Sequence, residues 1–143
     1  MTSTLIIFPE NETTIPQNKK FTVKIAIANL NTGFFSDPHF KYYMNPQQLG
    51  LNGFINGHLH FMIQKIADES SSLPANKVEF FQGLTDSAKK GIISVDIETA
   101  QKAGLTPGRY RICTIVLSYT HQPIFMPVSK RGSQDDCIRI TVR

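Results

Sequence analysis

Along this chain, apolar positions recur mostly at every second residue, the period of a strand that lays one face on a core. Phe21–Asn29 alternates most cleanly, with Phe21, Val23, Ile25 and Ile27 on one face. His58–Ile66 alternates too: Leu59, Phe61 and Ile63 face one way, and His58, His60, Met62 and Gln64 the other. Shorter runs at Leu5–Phe8, Val78–Gln82 and Ile92–Ile97, a long run at Arg109–Tyr119 and a last one at Cys137–Val142 read as further strands. Ile124–Val128 reads as an edge strand, because Pro127 cannot donate to a ladder. Helix signals amount to single turns at Pro46–Leu49 and at Glu98–Ala103, the second ended by Gly104.

Short strands separated by turns predict an all-β fold, an immunoglobulin-like antiparallel β-sandwich of about seven or eight strands. A single domain over residues 1–143 is expected. Leu105-Thr106-Pro107-Gly108-Arg109-Tyr110 sharpens the prediction. A Tyr at the start of a long penultimate strand matches a tyrosine corner, whose hydroxyl bonds to the upstream backbone. The exception to the alternation is Leu30–Gly57, the connection from strand B (Phe21–Asn29) to strand C (His58–Ile66). It carries Phe34, Phe35, Phe40, Tyr42 and Tyr43. Its aromatics predict an ordered loop with a small core of its own, folded over one end of the sandwich.

Composition narrows the function classes. The chain has 143 residues, 41% of them hydrophobic and 18% charged, and a formal net charge of +4. That balance excludes a disordered chain. No apolar run approaches the ~20 residues of a membrane helix. Lysines and arginines are scattered as isolated pairs, such as Lys19-Lys20 and Lys130-Arg131, with no nucleic-acid-binding motif. Nucleic acid is therefore not an expected partner. Cys113 and Cys137 each fall in a candidate strand and read as buried free thiols, with one inter-strand bridge as the alternative. The first residues lack the basic start and apolar core of a signal peptide. Asn11-Glu12-Thr13 fits a glycosylation acceptor.

The informative count is four histidines. In a strand, His58 and His60 project from one face about 6–7 Å apart, so both can reach one ion. Strand C is an antiparallel neighbour of strand F (Arg109–Tyr119) in an immunoglobulin-like sandwich, which brings the start of C to the end of F. His121, just past that end, is thus expected beside His58 and His60. Asp37 and His39 in the B–C loop are expected at the same end as additional ligands. Zinc or copper suits such donors, and the Met62 thioether on the same face would favour copper(I). The plain alternative is a cluster of hydrogen-bonded structural histidines. A metal-free enzyme would use His58 or His60 as general base, but no nucleophile motif accompanies them. Tyr42 and Tyr43, with Arg131 and Asp135 from the last connection, are candidate contacts for a glycan or protein partner. Asp135-Asp136 otherwise reads as a solvated loop.

Several segments together resemble a known family. They are Asn31-Thr32-Gly33-Phe34-Phe35-Ser36-Asp37-Pro38, Pro46-Gln47-Gln48-Leu49, Asn52–His60, His121-Gln122-Pro123 and Arg131–Asp136. The pattern resembles uncharacterised proteins of basidiomycete fungi, many of them secreted, from Asn29 to the C-terminus. The resemblance implies a fungal origin and an extracellular setting, and it brings no established activity. The resulting expectation is a secreted, non-enzymatic binding protein centred on His58, His60 and His121. A hydrolase-like enzyme using the same pocket, or a carbohydrate- or partner-binding module using the loop aromatics, stands as the alternative.

Overall fold

The computed structural model describes residues 1–99 and 102–143. The strands are β1 (Ser3–Phe8), β2 (Thr14–Ile15), β3 (Phe21–Ala28), β4 (Leu30–Asn31), β5 (Ile55–Ile66), β6 (Phe80–Leu84), β7 (Ile92–Thr99), β8 (Lys102–Ala103), β9 (Gly108–Ser118) and β10 (Cys137–Val142). One helical turn, α1 (Pro38–Lys41), lies between β4 and β5. Four strands form one sheet in the order β1-β3-β7-β8. The other sheet runs β2-β10-β9-β5, with β4 and β6 both on the far side of β5. All pairs are antiparallel except the two-residue contacts of β2 with β10 and β4 with β5.

Both sheets contribute to one hydrophobic core. Val23, Ile25, Val95 and Ile97 come from the first sheet, and Leu59, Phe61, Ile112 and Ile140 from the second, all nearly or fully removed from solvent. This is the alternation expected for Phe21–Asn29 and His58–Ile66. Its complement matters more here: His58, His60, Met62 and Gln64 project from the outer face of the second sheet. The Tyr110 ring is fully buried, and its hydroxyl donates to the Thr106 carbonyl at 2.8 Å, as the predicted corner requires.

Several expectations are corrected. Cys113 and Cys137 form a disulfide and are not free thiols. They face each other directly in the β9–β10 register with Cα atoms 4.2 Å apart, the spacing of a close, non-hydrogen-bonded antiparallel pair. Ile124–Val128 is not a strand; Leu117 and Pro123 share one isolated bridge. Pro123 and Pro127 remove two ladder donors, and the Gln47 side-chain amide takes both backbone groups of Phe125 instead. Pro46–Leu49 forms no helical turn; the turn is α1, where the Asp37 carboxylate caps the His39 N–H at 2.9 Å. In place of a turn over Glu98–Ala103, Glu98 pairs with Ala103 and Thr99 with Lys102; residues 100 and 101 lie outside the described residues. Asp135 and Asp136 are not simply solvated. Asp135 accepts from the Val116 N–H and Asp136 from the Ile6 N–H, both at 2.7 Å, so the second ties β1 to the opposite sheet.

Candidate metal centre

The centre is built where β5 begins and β9 ends. Gly57 lies opposite Ser118, and His58 opposite Leu117. A Cβ at Gly57 would stand 2.1 Å from the Leu117 carbonyl oxygen, so only glycine permits this approach. After Ser118 the chain turns sharply: His121 donates its N–H to the Ser118 carbonyl at 3.0 Å, and Ser118 donates to Gln122 at 2.8 Å. His121 adopts a left-handed φ of 70°, uncommon for a residue with a side chain.

The long loop clamps this turn. Ser36 donates to the Tyr119 carbonyl, Tyr43 donates to that of Thr120, and the Thr120 hydroxyl donates to the Asn45 carbonyl. The loop is therefore ordered, as expected. Its aromatics do not form a private core: Phe34, Phe35, Phe40, Tyr42 and Tyr43 are all exposed. Backbone bonds to the β9 turn, rather than side-chain burial, hold it in place.

Three histidines meet beneath the loop. His58 and His60 come from the outer face of β5, and His121 leans in from the turn. Their ring centroids are 4.5 Å (His58–His121), 5.2 Å (His58–His60) and 5.4 Å (His60–His121) apart. One ligand nitrogen from each lies within 4.8 Å of the other two. His58 is 0% exposed, His121 6%, and His60 is half-buried. The His58 Nδ1 sits 3.1 Å from the Phe34 carbonyl, an acceptor only, so Nδ1 carries the proton and Nε2 the lone pair. That buried Nε2 has no hydrogen-bond partner, and neither has the buried His121 Nδ1.

Electrostatics keep the rings neutral. Burial, then the neighbouring His121 and His60, push His58 down to about 4. Burial and His121 push His60 down to about 4 as well, and burial lowers His121. Neutral imidazole is the form that binds metal.

Other predicted residues are placed differently. Asp37, the N-cap of α1, and His39 within it are exposed and do not join the three-histidine group, so three of the four histidines meet, not four. Tyr42 reaches the site, its ring 5.7 Å from that of His121, and Tyr43 stacks on it at 4.2 Å. Arg131 folds back on its own loop, donating to the Val128 carbonyl. Asp135 is engaged with β9. Sequence reasoning passed over Phe81, whose ring stands edge-on to His60 at 5.0 Å. The signal was its place two residues before Gly83 in the strand beside β5, legible only once the register is known.

Fold and site together define an all-β domain of two sheets carrying a neutral three-histidine cluster on an outer face. A profile of the CLU5d N-terminal domain matches residues 4–143, and the chain belongs to that family. It is similar to "Pathogenicity cluster 5 protein d" of Colletotrichum graminicola, with 36% identity over 99% of this chain. It spans about 30% of that relative's length. Membership of a fungal family, as expected, is thus borne out; the expected basidiomycete origin is not. No solved structure matches. No helix among the described residues is long and apolar enough to cross a membrane.

Proposed function

We propose that this domain is a secreted, non-enzymatic metal-binding module in which His58, His60 and His121 hold one zinc or copper ion. The observation that carries the reading is the pair of orphaned ring nitrogens, His58 Nε2 and His121 Nδ1, buried among neutral imidazoles. A buried polar atom without a partner costs about 1–3 kcal/mol. A purely structural histidine cluster would leave that cost uncompensated twice. A metal ion accepts both lone pairs together with that of His60. Three histidines supply three of the four donors of a tetrahedral zinc site.

A hydrolase-like role fits less well, because a general base works best near the operating pH. Rings held near 4 fall well below it. The disulfide supports an extracellular setting, since such bonds persist in oxidising compartments. The pairing order β1-β3-β7 against β10-β9-β5-β6, with the Tyr110 corner, supports the immunoglobulin-like reading of the sandwich. The relative's name associates that protein with pathogenicity, and we assign this domain to the same setting. A second reading, recognition of a glycan or protein partner, is favoured by the exposed, stacked Tyr42–Tyr43 pair.

Elemental analysis after chelator-free purification tests the main reading. The parent should carry about one equivalent of zinc or copper after loading and desalting, and the His58→Ala/His60→Ala double variant under a tenth of that. Equal metal in both, or none in the parent, overturns it.

A further inference from the structure

The metal reading leaves one coordination position to account for, and the structure indicates where it opens. Among the described residues, no Cys, Asp or Glu joins the three histidines, and both cysteines are in the disulfide. None of these residue types fills the remaining position, which leaves it available to a donor from outside the chain. His58 and His121 are buried, so the accessible side is that of His60.

β6 borders that side as the next strand of the sheet, and it carries a glycine at the decisive point. Gly83 pairs directly with His60, and Phe81 pairs with Met62, so all four sit on the outer face. Glycine in a strand interior weakens it and often marks a close approach by a ligand. Here the backbone does not require it: Gly83 has no left-handed φ, and a Cβ would meet only the His60 ring, Cδ2 at 3.7 Å and Nε2 at 3.8 Å, which is ordinary contact. Any side chain beyond Cβ would lie across the edge of the imidazole. Exposed aromatics flank all three rings: Phe35 edge-on to His58 at 6.3 Å, Tyr42 tilted against His121 and Phe81 edge-on to His60.

The geometry points to an open coordination position reached over Gly83, which takes a flat molecule carrying one nitrogen or oxygen donor. Gly83 is the residue that admits it, and Phe81 offers the ring face or edge against which it packs. This inference rests on the metal reading above.

The test uses the copper(II)-loaded full chain and imidazole as probe. Binding is read from the shift of the copper visible and electron-spin spectra, with copper content measured after each titration. The parent should retain copper and bind imidazole saturably. Gly83→Ala, which fits at ordinary contact, should keep its copper and bind imidazole about threefold more weakly. Gly83→Val should weaken imidazole tenfold or more. Imidazole affinity within twofold of the parent in both variants overturns the inference, as does a parent that holds copper but shows no imidazole response. Copper lost from Gly83→Ala also overturns it, because the glycine would then serve the packing of His60. A parent that takes up no copper and no zinc refutes the metal reading itself, a different failure.

Discussion

Acidifying the metal-free protein from pH 7 to pH 5 should cost stability, and His58 should account for much of the loss. The ring is fully buried and titrates at about 4, against about 6.5 for an exposed histidine. Because the folded pKa is depressed, the unfolded chain binds more protons between pH 6.5 and 4. The stabilising contribution is therefore complete above 6.5, shrinks as the pH falls, and is gone below 4. Linkage puts the loss from His58 at roughly 2 kcal/mol by pH 5 and roughly 3 kcal/mol by pH 4. His60 adds less than its own shift suggests, because it is half-exposed and coupled to the same neighbours. For a domain this size, 2 kcal/mol is worth roughly 6–10 °C in Tm. The assay is thermal unfolding of chelator-treated protein at pH 7 and pH 5, for the parent and for His58→Leu. The substitution's own cost cancels when each protein is compared with itself across pH. The parent should lose roughly 6 °C more than the variant. Parallel Tm changes in the two proteins would refute the argument that His58 is held neutral by burial.

Three further outcomes follow from named contacts. Replacing Cys113 and Cys137 by Ala should cost about 3 kcal/mol in a urea titration and leave metal stoichiometry unchanged, because neither sulfur is a donor. Gly57→Ala should destabilise the fold by about 2 kcal/mol or more and lower metal occupancy, since the new methyl collides with the Leu117 carbonyl that sets the β5–β9 approach. Tyr110→Phe should cost about 1 kcal/mol through the lost bond to Thr106, with metal binding intact.

The site was legible in sequence to the extent that it depends on strand period and neighbour order. His58 and His60 share a face because they are two apart. His121 follows because an antiparallel partner of β5 must end beside its start. What stayed hidden depends on register and distance. Whether Cys113 and Cys137 face each other turns on the offset between β9 and β10, which no local pattern records. Asp136 looks solvated until Ile6, far away in the chain, brings its N–H to the carboxylate. Ile124–Val128 has strand composition, but two prolines and the competing Gln47 amide remove its ladder. The loop aromatics suggested burial by residue type, whereas backbone bonds to the β9 turn order the loop and leave the rings outside. Phe81 falls inside the predicted strand Val78–Gln82, but only the β5–β6 register, with Gly83 opposite His60 and Phe81 opposite Met62, shows that its ring reaches the site.

The central claim is that three imidazoles share one ion. Anomalous scattering from a crystal of the protein grown with one equivalent of zinc or copper tests it most directly. The account predicts a single strong peak bonded to ring nitrogens of His58, His60 and His121 at about 2.0–2.1 Å. A peak located only at exposed His39, or none among the three rings, would contradict it.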